Sequence, residues 1–306
     1  MKGRPFDLFE KLYADIDGRR ARTPIVEVPT DADIRLFVKR EDLIHKEISG
    51  NKYWKLFFNI KEFLTADMTE PMLITFGGAY SNHIAAVAAL GREIGAKTVG
   101  VIRGDELRDK WQANPTLAKA AENGMAFRFV ARDEYRDKEK LAAELREEFP
   151  DALIFPEGGT NDQAVRGVQF MLDERTKDFD YMCCPVGTGG TVAGIAKFAE
   201  AGQKVVGFKV VRDGSLAETV FRLSGKDDTE LIDASFGGYG KFDEEHLDAV
   251  ERMSERFGIP LEPIYTGKMF RKLLELTGEE YFPPGSKVLA FHTGGLQGFV
   301  KTENKE

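Results

Sequence analysis

Short apolar runs and stretches of helical period alternate along almost the whole chain. Runs at residues 34–38, 72–76, 98–102, 126–130, 153–155, 181–186, 205–211 and 288–291 predict strands. A strand buried on both faces is apolar throughout rather than alternating. Between them Ile84, Val87, Ala88, Leu90 and Ile94 recur at helical spacing, and Gly95 supplies a stop. Asn114-Pro115 opens another helix, with proline at its tolerated first position, and Gly124 ends it. Residues 191–201 and 243–257 predict two more, closed by Gly202 and Gly258. Such alternation predicts an α/β fold with mostly parallel sheets covered on both faces. No internal repeat or low-complexity linker is visible, so a second domain is expected as an insertion.

Length and charge narrow the classes. A chain of 306 residues suffices for one large domain or two sharing a cleft. The net charge of −8 argues against binding nucleic acid or an anionic membrane. No run is apolar enough to cross a bilayer, and the basic start at Lys2 and Arg4 has no apolar stretch behind it. Cys183 and Cys184 are adjacent inside an apolar run, which suits buried thiols better than a disulfide or metal site. A cytoplasmic protein without a metal is expected.

The polar loops lie where α/β proteins bind ligands, between a strand and the helix after it. Gly187-Thr188-Gly189-Gly190-Thr191 follows the run at 181–186 and has the make-up of a phosphate cup: glycines for close approach, free N–H groups, two hydroxyls. It matches neither nucleotide signature, since Ile195-Ala196 follows Gly194 and Val192 takes the third glycine position of the dinucleotide pattern. A purely structural tight turn is the competing reading. Gly77-Gly78-Ala79-Tyr80-Ser81-Asn82-His83 is a second loop, either a helix N-cap or a carboxylate site. A third, His292-Thr293-Gly294-Gly295, follows the last strand. Lys52 stands at a helix start, where the macrodipole disfavours a cation. It is either a solvated lysine or an amine of lowered pKa able to condense with a carbonyl.

Taken in order, these segments resemble the fold-type II pyridoxal-phosphate enzymes, and within them the group of aminocyclopropane-carboxylate deaminase and D-cysteine desulfhydrase. Lys39-Arg40-Glu41-Asp42 with Ser49-Gly50-Asn51-Lys52 and Lys55-Leu56 resembles the cofactor-lysine region, and the two glycine-rich loops resemble the carboxylate and phosphate loops. Gly237-Gly238-Tyr239-Gly240, the segment from Pro263 to Lys268, and the loop from His292 to Gly295 resemble three further active-site segments. The resemblance implies a tryptophan synthase β-like fold of two three-layer αβα domains. Residues 1–55 and 161–306 would form the large cofactor domain and 56–160 the inserted one. It implies pyridoxal 5'-phosphate on Lys52 as a Schiff base, its phosphate held by Lys55 and Gly187 to Thr191, and Asn82 beside the ring hydroxyl. It further implies Ser81, Asn82, His83 and Thr293 on the substrate, Tyr239 and Tyr265 lining its side, Thr266 facing the pyridine nitrogen, and a homodimer. One departure stands out: relatives commonly carry arginine just after the lysine motif, and here there is Trp54.

Within that group, the deaminase branch places a glutamate where Thr266 stands, which keeps the ring protonated and a strong electron sink. The deaminases have leucine where Thr293 stands and glutamine where His83 stands. All three positions favour α,β-elimination, with D-cysteine giving pyruvate, ammonia and hydrogen sulfide. Lys52 would remove the Cα proton. Ring opening of aminocyclopropane carboxylate to 2-oxobutanoate and ammonia, β-replacement, and a non-catalytic binding protein are the alternatives.

Overall fold

The computed structural model describes residues 3–298, and among these, ten strands form two sheets. The chain begins the first sheet with β1 (Ile25–Val28) and β2 (Arg35–Lys39). It then builds all of the second, with β3 (Met72–Gly77), β4 (Lys97–Arg103), β5 (Met125–Val130) and β6 (Leu153–Phe155). It returns to the first with β7 (Tyr181–Val186), β8 (Lys204–Lys209), β9 (Glu230–Asp233) and β10 (Lys287–Phe291). The strand orders are β1-β2-β10-β7-β8-β9 and β5-β4-β3-β6. β1 runs antiparallel to β2, and the remaining pairings are parallel. The chain is therefore a mixed α/β fold with mostly parallel sheets.

Eleven α-helices among the described residues cover the sheets. They are α1 (Pro5–Tyr13), α2 (Ile16–Ala21), α3 (Asn51–Phe63), α4 (Asn82–Ile94), α5 (Pro115–Glu122), α6 (Lys138–Glu148), α7 (Asp162–Val168), α8 (Gly190–Phe198), α9 (Leu216–Ser224), α10 (Glu244–Phe257) and α11 (Thr266–Gly278). The stop signals act as their chemistry requires: Gly95 and Gly258 end α4 and α10 in the left-handed conformation that glycine adopts without strain. The helix expected to reach residue 201 stops at Phe198, where Ala199 turns extended. β8 likewise ends at Lys209, two residues before the apolar run does.

Three apolar clusters follow from this layering. The largest runs from Phe9 and Tyr13 of α1 through α3, α4, α7 and α8, and so lies between the two sheets. A second packs α10 and α11 on the outer face of the six-stranded sheet. A third sets Leu141 and Leu145 of α6 on the outer face of the four-stranded sheet. Both sheets are thus covered on both faces, which is why β7 and most of β3 are apolar without alternation. Cys183 and Cys184 sit in β7 as buried free thiols. Among the described residues no helix is long and apolar enough to cross a membrane.

Candidate active site

The carboxyl ends of β3, β4, β6, β7, β8 and β10 converge on one cavity of about 580 Å³. Lys52 enters it from the first turn of α3. That turn is possible because Gly50, at φ +64°, takes a conformation closed to most residues, and a β-carbon there would fall on the Thr293 carbonyl. The Lys52 Nζ donates to Asn51 Oδ1 at 3.1 Å, and Asn51 Nδ2 donates to Thr191 Oγ1 at 2.5 Å. Burial lowers the Lys52 ammonium to about 8, so a useful fraction is the free amine near neutrality.

Lys55 lies one turn on, almost fully buried. Its Nζ donates to the Gly158 carbonyl at 2.8 Å and Thr160 Oγ1 at 3.3 Å, both neutral. Burial first, and then Lys52, push its pKa well down. A β-carbon on Gly190 would sit 3.1 Å from this ammonium, so the Gly187–Thr191 loop and the N-terminus of α8 face it. Thr188 Oγ1 meets Thr160 Oγ1 at 2.6 Å. A buried amine bonded only to neutral groups, facing the N-terminus of a helix, is suited to receive a phosphate.

On the other wall, Ser81 caps α4, its Oγ accepting from the Ile84 N–H at 3.3 Å. The commonplace reading of that serine holds, and it lines the cavity as well. Asn82 Oδ1 accepts from Gln297 Nε2 at 3.0 Å, which leaves its amide nitrogen for a ligand. His83 is 1% exposed and neither ring nitrogen has a partner. Burial, then Lys52 and Lys55, hold it neutral, so it can offer a ligand one donor and one acceptor. Thr293 closes this side, on a loop set by His292. The His292 Nε2 donates to the Pro260 carbonyl at 2.7 Å and its Nδ1 accepts from the Gly294 N–H at 3.2 Å.

The Tyr265 hydroxyl donates to the Tyr239 hydroxyl at 3.3 Å, which leaves the Tyr239 proton for a third group. Burial raises Tyr239 to about 12 and Tyr265 well above its ordinary value, so both are protonated. Thirteen residues singled out by sequence thus share one cavity: Lys52, Lys55, Ser81, Asn82, His83, the five of the Gly187–Thr191 loop, Tyr239, Tyr265 and Thr293.

Thr266 is placed differently. It is fully buried at the start of α11 and does not line the cavity; its hydroxyl donates to Glu262 Oε1 at 3.2 Å. Glu262 is a residue the sequence reading passed over. Its carboxylate accepts the N–H groups of Ile264 and Tyr265 at 2.8 Å and of Thr266 at 2.6 Å, and burial raises its pKa. An acid just ahead of a helix start was the available signal. Lys268 closes a segment that the sequence singled out, but no role was expected of it. Its Nζ donates to the Ser235 and Gly238 carbonyls at 2.6 Å each, and so ties down the loop that carries Tyr239. Arg103, at the end of β4, lines the cavity itself, as do Lys138, Glu157, Arg212 and Asp213, and none of these five was singled out by sequence.

These groups fit a compound that carries a phosphate and a carbonyl: an amine of lowered pKa, a separate ammonium at a phosphate cup, and an unpartnered histidine. Comparison with known proteins agrees. The family model described as pyridoxal-phosphate dependent enzyme matches residues 16–294. A protein of Pyrococcus abyssi, provisionally named 1-aminocyclopropane-1-carboxylate deaminase, is 31% identical over 90% of both chains. The Arabidopsis thaliana mitochondrial bifunctional D-cysteine desulfhydrase/1-aminocyclopropane-1-carboxylate deaminase is 29% identical, covering 86% of this chain and 73% of its own. The crystal structure of an ACC deaminase homologue superposes with a TM-score of 0.77 at 28% identity, covering 95% of each chain. A hydrogen sulfide-producing enzyme of Fusobacterium nucleatum, at 16% identity and a TM-score of 0.67, shares the fold.

Proposed function

Because this chain belongs to the family of pyridoxal-phosphate dependent enzymes, with that compound as its cofactor, we propose that it catalyses α,β-elimination on a small amino acid. D-cysteine and water would give pyruvate, ammonia and hydrogen sulfide. In this reading Lys52 holds the cofactor, and Lys55 with the Gly187–Thr191 loop holds its phosphate. Asn82 offers its amide to the ring hydroxyl, and Ser81, Asn82 and His83 receive the substrate carboxylate. The bound cofactor supplies an electron sink for the pair left on Cα. The substrate amine frees the Lys52 amine, which takes the Cα proton from its own side of the cavity. Tyr239, protonated and backed by Tyr265, faces the departing sulfur with a hydrogen-bond donor.

The observation that favours elimination is the state of the carboxylates. Of those lining the cavity, Glu157 pairs with Lys138 at 3.0 Å, and Asp213 accepts from the N–H and hydroxyl of Ser215. Glu262 lies behind the wall with its oxygens committed to α11. Among the described residues no carboxylate is left free there to keep a ring nitrogen protonated, which suits thiolate expulsion better than opening a cyclopropane. The name of the Pyrococcus relative favours ring opening as the second reading, while that of the Arabidopsis relative covers both activities. The test is release of 2-oxoacids from D-cysteine, L-cysteine and aminocyclopropane carboxylate. We expect pyruvate from D-cysteine at the highest kcat/KM; a preference for the cyclopropane would replace elimination with ring opening. Absence of turnover with all three would leave a binding protein.

A further inference from the structure

Arg103 lines the cavity between Gly78 and Tyr239. A β-carbon on Gly78 would lie 3.3 Å from Arg103 Nη2 and 3.8 Å from Tyr239 Cε1. One corner is therefore walled by glycine backbone, a guanidinium and a phenol ring. The guanidinium carbon stands 5.8 Å from the centre of the Tyr135 ring, a contact that leaves its charge unneutralised. Among the described residues no carboxylate pairs with it, because Glu157 and Asp213 are engaged as above. The cavity lining holds five cationic side chains, Lys52, Lys55, Arg103, Lys138 and Arg212, against those two acids. The cofactor accounts for Lys52 and Lys55, and Glu157 for Lys138. The Arg212 Nε donates to Ser235 Oγ at 3.5 Å, whereas the Arg103 guanidinium has no hydrogen-bond partner among the described residues. A half-buried guanidinium with no counter-ion among the described residues is suited to receive a carboxylate in bidentate fashion.

We infer that Arg103 is a specificity residue that receives a second carboxylate, carried on the side chain of the amino-acid substrate beyond its sulfur. This rests on the elimination reading above and narrows the substrate class to cysteine S-conjugates with an acidic tail, D-cysteine itself being the truncated member. The chemistry balances as before. Lys52 takes the Cα proton, the Cβ–S bond breaks with its electron pair on sulfur, and the thiol that departs keeps its carboxylate. Water completes the product to pyruvate and ammonia.

The test uses S-carboxymethyl-D-cysteine and its neutral isostere S-carbamoylmethyl-D-cysteine with the cofactor-loaded enzyme. Affinity is read from the change in cofactor absorbance and turnover from pyruvate. The parent should favour the acid about tenfold or more in both, the effect of one charge-assisted contact. Arg103→Met should bring that ratio close to one, and Arg103→Lys should retain part of it. A parent ratio near one overturns the inference, even should a variant fail to fold. So does a ratio unchanged in Arg103→Met, which would show that Arg103 does not read the second carboxylate. If D-cysteine is turned over but the pair is not distinguished, only the role of Arg103 falls. If no amino acid perturbs the absorbance or yields pyruvate, the elimination reading falls and takes the inference with it.

Discussion

Trp54 shows how a substitution against the family pattern is absorbed. Its buried indole N–H donates to Glu41 Oε2 at 3.1 Å, while Lys39 pairs with the other carboxylate oxygen and reaches Thr23 Oγ1 at 3.0 Å. Lys39 and Glu41 are both closed to water. An arginine at position 54 would place two cations against one acid, whereas the indole supplies the donor without a charge. Trp54→Phe leaves that oxygen short of a partner and should cost about 1–3 kcal/mol, seen as a melting point lower by a few degrees; an unchanged melting point would mean the bond contributes nothing. Lys52 gives a second prediction. With its pKa at about 8, the free amine grows tenfold per pH unit below 8 and levels off above. Loading of the cofactor-free protein should follow that curve, and a midpoint near the ordinary lysine value of about 10.4 would refute it. The same shift has a sign for stability. Between about 8 and 10.4 the unfolded chain binds more protons than the folded one, so the cofactor-free protein gains stability as pH rises through that window.

At the level of elements, what the sequence revealed depended on burial. β3, β4 and β7 were legible because strands buried on both faces leave an uninterrupted apolar run. β1 and β9, at the edges, are half exposed, with Glu27 in one and Glu230 and Asp233 closing the other, and so carry no such run. The motif loops were legible because glycines and hydroxyls cluster there. Glu262, Lys268 and Arg103 were not, because each acquires its role only from what folding brings against it. The entrance to α11 is the sharpest case, since the Thr266 hydroxyl meets Glu262, an acid the sequence pattern did not single out. Thr266→Glu would then press a second carboxylate against a buried one, and one of the two must take a proton. We expect a loss on the order of 2–3 kcal/mol, with at least half recovered in the double variant with Glu262→Gln. Denaturant unfolding of the single and double variants measures the coupling; additive losses would show that the two side chains do not interact.

Across the whole molecule, the second sheet draws its strands only from residues 72–155. We propose the division foreseen from the motifs: 56–160 as an inserted domain, and 1–55 with 161–306 as the frame. The large apolar cluster spans both, so hinge-like independence is not expected of them. A ligand held by both should stiffen the pair. At a hundredfold excess over its dissociation constant, the cofactor should stabilise the protein by about 2.7 kcal/mol, and hydrogen exchange should slow in α3, α4 and α8 together. Slowing confined to one sheet's helices would count against a site shared between domains.

The strand order has a consequence for the birth of the protein. β10, residues Lys287–Phe291, lies between β2 and β7 in the middle of the six-stranded sheet. While a ribosome is still making the chain, the inserted sheet has every strand it needs once residue 155 has emerged. The frame, by contrast, waits with a gap at its centre, and Lys52, made early, stands beside a wall that does not yet exist. Thr293, whose carbonyl Gly50 packs against, arrives only after that last strand. Nascent chains arrested before residue 287 should therefore fail to retain the cofactor, however much of the earlier sequence has folded.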